Sequence, residues 1–217
     1  MLLSKDQFDQ RLKSNTLRIA LVGMSNIGKS HWTRQIVSVH KFTSYEVDTA
    51  IQKHLSLSSI RQSARWMGHP FEDGYNDKAA QYLKLEGELT LAAKSLNGNV
   101  ILDTTGSVIH LDTDIQTSLN ANYLTVYLRA NTRAVTTLIK RFKKSPKPLI
   151  WGEHYKKHPS LSQMDSLFAC YPNLLSAREN MYENISDITL DVTALKNTDV
   201  TDFIQTLYAA LPRKIEN

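Results

Sequence analysis

The chain has 217 residues, 41% of them hydrophobic, a formal charge of +5 and one cysteine. That length suits one ordinary domain with a sizeable core. No apolar run is long enough to span a bilayer, and the single Cys170 excludes an internal disulfide, so a reducing, cytoplasmic setting is expected.

Residues 1–15 carry an amphipathic helical pattern, with Leu3, Phe8 and Leu12 inward among charged neighbours. The segment lacks the apolar middle of a signal peptide. Residues 17–22 read as a buried parallel strand and 30–40 as a helix. Between them stands Gly23-Met24-Ser25-Asn26-Ile27-Gly28-Lys29-Ser30, a complete Gly-x-x-x-x-Gly-Lys-Ser phosphate-binding loop. Its glycines permit a tight turn whose backbone N–H groups face a nucleotide's phosphates. Lys29 can reach the β- and γ-phosphates, the Ser30 hydroxyl can ligate Mg²⁺, and the helix behind them presents its positive end. The expected nucleotide-binding set is Gly23, Ser25, Asn26, Ile27, Gly28, Lys29, Ser30 and His31.

A second strand is predicted over 42–47, ending in Glu46-Val47-Asp48. Residues two apart on a strand share a face, so both carboxylates are expected to point into one cleft. Asp48 is then a candidate to orient or deprotonate an acceptor hydroxyl, and Glu46 a candidate Mg²⁺ ligand. The alternative is a polar strand end in which Asp48 caps a helix over 49–55. The stretch from 49 to about 96 is helical in pattern, broken at Gly68-His69-Pro70 and Asp73-Gly74.

The apolar run before Asp103-Thr104-Thr105-Gly106 predicts a third strand over 100–103. A carboxylate ending a strand beside a phosphate loop is placed to organise Mg²⁺, and Gly106 would allow close backbone approach to a substrate. An ordinary turn is the competing reading. A fourth strand is predicted over 123–128, a helix over 131–143, and a fifth strand over 187–190. Arg141, late in that helix, can stack on a nucleobase. The interval from 144 to about 162 holds Pro146, Pro148, Gly152 and Pro159 with many lysines. It reads as a mobile loop whose cations, Lys147 among them, can close over phosphates.

The basic run Lys140-Arg141-Phe142-Lys143-Lys144 reads as a solvated helix face, and nucleic acid is not expected as a partner. His154 and His158, flanked by Gly152 and Pro159 with no third ligand, do not read as a metal pair. Cys170 reads as a small buried apolar side chain, and Tyr171 and Tyr182 as core. Alternating strands and helices argue for a parallel sheet covered on both faces, with ligands beyond the carboxyl ends of its strands.

Several segments together resemble the shikimate kinase family of small-molecule kinases. In order they are the phosphate loop, Glu46-Val47-Asp48-Thr49-Ala50-Ile51, Tyr82-Leu83-Lys84-Leu85-Glu86, Lys147-Pro148-Leu149-Ile150, and Arg178-Glu179-Asn180-Met181-Tyr182 running into Asp187-Ile188-Thr189-Leu190-Asp191. The resemblance implies an α/β, three-layer P-loop kinase fold with a five-stranded parallel sheet, a helical substrate-binding region and a mobile lid. As one domain, its core would span 17–48 and 97–143, its substrate-binding region 49–96 and its lid 144–163. It implies ATP and Mg²⁺, with transfer of the γ-phosphoryl group to a hydroxyl. Asp48 would bind substrate hydroxyls, Arg178 a substrate carboxylate and Arg141 adenine, while Lys147 falls where the family has a lid arginine.

The chain departs from the family pattern at recognition positions. Leu83 stands where an arginine holds the substrate carboxylate, and Thr104-Thr105-Gly106 replaces a run of three glycines, preceded by Asp103 where an apolar residue is usual. Arg61 and Arg65, four apart on one helix face, are candidates to restore anion binding. The reading is a monomeric kinase of a small hydroxylated, anionic metabolite, with Lys29, Asp48 and Asp103 carrying the chemistry. A non-catalytic nucleotide-binding protein and a nucleotide or nucleic-acid hydroxyl kinase are the competing readings.

Overall fold

The computed structural model describes residues 1–145, 147, 149–193, 195 and 200–213. Pro146 and Pro148, predicted as part of the lid, lie outside the described residues. The strands are β1 (Arg18–Val22), β2 (Phe42–Glu46), β3 (Asn99–Asp103), β4 (Leu124–Arg129) and β5 (Ile188–Asp191). They form one parallel five-stranded sheet in the order β2-β3-β1-β4-β5.

Around the sheet lie α1 (Lys5–Lys13), α2 (Lys29–Val39), α3 (Val47–His54), α4 (Ile60–Met67), α5 (Tyr75–Ala92), α6 (Thr113–Asn122), α7 (Thr132–Lys144), α8 (Gln163–Asn184) and α9 (Val200–Ala210). No helix among the described residues is long and apolar enough to cross a membrane.

The alternation of side chains along each strand builds two cores. From β1, Ala20 and Val22 join Tyr82, Leu85, Leu174 and Tyr182 on one face. Ile19 and Leu21 join Trp32, Ile36 and Phe203 on the other. Both faces are covered, which is why the central strands read as unbroken apolar runs. The N-terminal helix forms as its pattern predicts. Ser4 caps it, accepting the Gln7 N–H while the Gln7 side chain accepts the Ser4 N–H, and Phe8 packs inward.

Register positions the site. Leu21 of β1 and Glu46 of β2 both pair with Asp103 of β3, so the three strands end together at one edge. From β1 the chain runs to β2, two places away on one side, and from β3 it crosses to β4 on the other side of β1, so the connections part at β1 and leave a crevice beyond its carboxyl end.

One boundary changes a site prediction. The strand ends at Glu46, and α3 begins at Val47, so Asp48 lies in the first turn of a helix and does not cap one. Glu46 and Asp48 therefore do not share a strand face. Helical neighbours two apart point about 200° from each other. The breaks at 68–70 and 73–74 occur as predicted, with Gly68 and Gly74 at positive φ ending α4 and starting α5.

The segment from 149 to 163 is anchored by its own apolar residues. Leu149, Ile150 and Trp151 are buried, and Trp151 packs near Phe142, Tyr155 and Tyr171. The Tyr75 hydroxyl accepts the Trp151 N–H at 2.9 Å and donates to the Leu149 carbonyl at 2.7 Å. Tyr171 and Tyr182 are core, as expected. Cys170 is only partly buried, its sulfur touching the Lys156 backbone from α8.

Candidate active site

The phosphate loop leaves the sheet directly from β1. Gly23 has φ +142°, and a Cβ there would lie 2.9 Å from the Leu128 carbonyl, so both conformation and space demand glycine. Asn26, at φ +66°, takes a left-handed position that asparagine tolerates, and Gly28 turns the chain into α2 at φ +121°. Lys29 is 6% exposed, and its ammonium donates to the carbonyls of Gly23 at 2.8 Å and Met24 at 3.2 Å. Burial holds its pKa below the usual lysine range, opposed by the charges of Asp103 and Asp48.

Asp103 ends β3 beneath this loop. Burial pushes its carboxyl up to about 6, against the pull of Lys29 and a hydrogen bond with Ser30. Thr104 turns back to the sheet, donating from its hydroxyl to the Leu21 carbonyl.

Across the cleft, Asp48 accepts a hydrogen bond from the Tyr82 hydroxyl at 3.0 Å. Burial raises the Asp48 pKa, while Lys29 and Tyr82 restrain it. Tyr82 and Glu86 are one turn apart on α5 and share a face. Glu86 is fully buried and accepts from the Thr105 hydroxyl and, at 2.5 Å, from the Ser107 hydroxyl. Desolvation lifts Glu86 to about 7 despite those two donors. Arg178, from α8, is 2% exposed. Its Nη1 donates to the Gly106 carbonyl at 3.2 Å and its Nη2 to the Ile150 carbonyl at 2.5 Å, while Nε has no protein partner.

These groups enclose a cleft of about 260 Å³. The structure brings Ser25, Asn26, Gly28, Lys29, Ser30, His31, Asp48, Asp103, Gly106, Lys147 and Arg178 to its wall, all predicted from sequence. Gly106 makes a close approach, but to the phosphate loop: a Cβ there would lie 2.7 Å from Ser25 Oγ. Arg141 and Ile27 line a neighbouring groove between α7 and the loop, also bordered by Asn131, Ala134 and Thr193. Asn26 borders both cavities.

Three candidates fall elsewhere. Glu46 is not on the cleft wall, and its carboxylate accepts the Thr49 hydroxyl at 3.2 Å. Arg61 and Arg65 are exposed on the outer face of α4, beside Gly68, His69 and Lys144. The inward face of that helix offers Ile60 to the cleft instead. Leu83 also turns away, into a groove with Lys84, Glu88 and Ile115, because adjacent helical residues point about 100° apart.

Sequence reasoning did not single out Arg34, Tyr82, Glu86 or Ser107 as site residues. Arg34 follows Ser30 by four on α2, and Glu86 follows Tyr82 by four, so helical spacing was the signal available. Among the described residues, no group of three His, Cys, Asp or Glu is arranged to hold a metal by itself.

A parallel sheet with a phosphate loop behind its central strand, helices over one side of the cleft and a lysine, Lys147, brought to that loop just before the anchored segment define a P-loop kinase. The shikimate kinase family model matches residues 25–208, and the chain belongs to that family. A shikimate kinase from Bacteroides thetaiotaomicron superposes with a TM-score of 0.61 at 16% identity, covering 89% of this chain and 97% of that one. The Acinetobacter baumannii shikimate kinase in complex with shikimate gives 0.60 at 18%, covering 91% and 97%. The Aquifex aeolicus enzyme gives 0.54 at 20%, covering 89% and 97%. No curated protein sequence matches the chain.

Proposed function

We propose that this protein transfers the γ-phosphoryl group of ATP to a hydroxyl of a small molecule. One observation carries the reading. The buried ammonium of Lys29 and the Tyr82-held carboxylate of Asp48 face each other across a single cleft whose floor is the phosphate loop. The backbone of 23–30 holds the phosphates, with the triphosphate directed into the cleft and the base toward the Arg141 groove.

Asp48 fixes the acceptor hydroxyl and takes its proton as the new O–P bond forms. The bond from the γ-phosphorus to the bridging oxygen breaks and ADP leaves. Lys29 and Lys147 balance charge that shifts onto the phosphate oxygens. Protein Mg²⁺ sites that work with nucleotide supply only one or two oxygens, the rest coming from phosphates and water. Ser30 and Asp103, hydrogen-bonded together at the loop, are a donor set of that kind. Bound with ATP, Mg²⁺ would neutralise phosphate charge.

Shikimate is the first acceptor to assay, because a similar fold has been solved holding it. The test is ADP formation from Mg·ATP with shikimate, with a panel of polyols and with oligonucleotide 5′-hydroxyls. Lys29→Ala should lower turnover about a hundredfold or more. Turnover that survives this change overturns the assigned site. Nucleotide binding with no acceptor-dependent ADP formation would make the protein a non-catalytic nucleotide binder.

A further inference from the structure

Four cations line the cleft: Lys29, Arg34, Lys147 and Arg178. Three of them already have partners in the protein. The Lys29 ammonium donates to the Gly23 and Met24 carbonyls, and that of Lys147 to the Asn26 side chain. Arg178 commits both terminal nitrogens to the Gly106 and Ile150 carbonyls. Arg34 differs. Among the described residues, no hydrogen bond or ion pair engages its guanidinium. The carboxylates of the cleft do not answer it either. Asp48 accepts from Tyr82, Glu86 from Thr105 and Ser107, and Asp103 is bonded with Ser30 beside Lys29.

Its place in the fold separates it from the nucleotide groove. Helix α2 carries the chain from β1 to β2 and packs against β2 and β3. The Arg141 groove lies on the other side of β1, along α7, which follows β4. Arg34 lines the phosphate cleft and not that groove, on the side where β2 delivers Asp48. It follows Ser30 by four residues, so both lie on one face of α2. Long helical side chains lean toward the helix N-terminus, here toward the phosphate loop. The charges that weigh most on Asp48 are those of Lys29, Lys147 and Glu46, so the Arg34 guanidinium stands off from the reacting carboxylate. Water solvates this exposed cation in the open cleft. A ligand that fills the cleft strips that water away and must meet the charge itself.

We infer that Arg34 recognises an anionic group on the acceptor, a carboxylate or a phosphate, at the end remote from the reacting hydroxyl. A planar guanidinium pairs with either anion through two parallel N–H donors. Asp48 repels an anionic acceptor, and Arg34 supplies the opposite charge that admits one. Arg61 and Arg65 lie outside the cleft, and Leu83 has no charge to offer. The assignment rests on the kinase reading for which hydroxyl reacts, but anion recognition is a property of binding.

Binding without turnover tests it. The protein is saturated with Mg²⁺ and a non-hydrolysable ATP analogue, then titrated in a calorimeter with matched pairs. Shikimate is set against its methyl ester, and gluconate against glucitol, to probe a carboxylate. Glycerol 3-phosphate against glycerol probes a phosphate. In the parent, the anionic member of at least one pair should bind about tenfold more tightly than its uncharged counterpart. Arg34→Gln should weaken that anion about tenfold, and Arg34→Lys, which keeps the charge and loses the fork, about threefold. Affinity for the ATP analogue should stay within about twofold of the parent.

No preference for the anion in any pair overturns the inference. So does an anion that Arg34→Gln binds as tightly as the parent, which would return recognition to Arg178. A parallel loss for the ATP analogue overturns it as well, because Arg34 would then serve the nucleotide phosphates. Failure of the kinase reading would appear separately, as absent ADP formation while anion binding and its dependence on Arg34 stand.

Discussion

The Lys147 ammonium lies 2.6 Å from the Asn26 side-chain oxygen, joining the anchored segment to the phosphate loop across 121 residues of sequence. Asn26 sits at the tip of the loop in a left-handed conformation, so the lysine reaches the point where the phosphate cleft meets the Arg141 groove. Burial lowers the Lys147 pKa and Asp48 raises it again, as expected for a cation held inside a cleft. Lys147→Met should lower kcat/KM for ATP by about 10- to 100-fold, while Lys147→Arg keeps the charge and retains most of the activity. Steady-state kinetics at saturating acceptor checks both variants. A loss below about threefold for the methionine variant would remove Lys147 from phosphate handling.

Tyr75 holds the base of the same segment. Its hydroxyl is buried between the Trp151 N–H and the Leu149 carbonyl, and both partners are buried as well. Tyr75→Phe preserves the ring and strands two backbone groups. The expected cost is roughly 1–3 kcal/mol in urea unfolding. Protease cleavage between 152 and 161 should accelerate by more than global destabilisation explains, because the lost bonds fasten that segment in particular.

Glu86 sets a pH dependence of stability. Its carboxyl is raised in the folded protein from an ordinary value of 4.5 to about 7. Between those values the folded state binds the proton that the unfolded state has released. Stability therefore falls as pH rises from about 4.5 to 7, by roughly 3 kcal/mol from this group, and the penalty is complete above 7. Glu86→Gln should flatten that part of the profile and stabilise the protein at pH 8 relative to the parent. Denaturant midpoints at pH 5 and pH 8 measure it. Equal pH slopes in parent and variant would show that Glu86 stays ionised.

The parts of the site written in contiguous residues were legible without the structure. Gly23 to Ser30 specify a turn by local conformation, and every predicted strand forms within one or two residues of its expected bounds. Arg141 could be placed because it lies on a helix that starts beside the loop. Pairwise geometry across elements was less accessible. Glu46 and Asp48 were expected to share a face, and moving one helix boundary by two residues separated them. Arg61 and Arg65 carried the right charge, yet which face of α4 turns inward depends on packing by Ser63 and Met67. The Glu86–Thr105–Ser107 cluster joins residues about 20 apart, and only the packing of α5 against the turn that follows β3 brings them together. Its local traces were the four-residue spacing from Tyr82 and the place of Glu86 in the Tyr82–Glu86 segment that resembles the family.

Gly106 ties that turn to the nucleotide loop. An added Cβ would lie 2.7 Å from Ser25 Oγ and 3.1 Å from the Ser25 backbone nitrogen. The serine oxygen can rotate away, but the backbone nitrogen cannot move alone. The turn itself has little freedom to retreat, because Arg178 and Tyr182 both donate to the Gly106 carbonyl. The displacement should pass to the phosphate loop, whose N–H groups must converge on the phosphates. Gly106→Ala is therefore expected to weaken nucleotide binding about three- to tenfold, near the lower end of overpacking costs of roughly 1–3 kcal/mol, with a smaller change in Tm. Ser25→Gly in the same chain removes the shorter contact and should recover part of the affinity. Titration with ATP and with adenosine separates the causes. A strained phosphate loop weakens ATP and spares adenosine, whereas equal losses for both would place the strain in the groove beside Arg141. Unchanged ATP affinity with a lowered Tm would mean that the turn gives way and the loop does not.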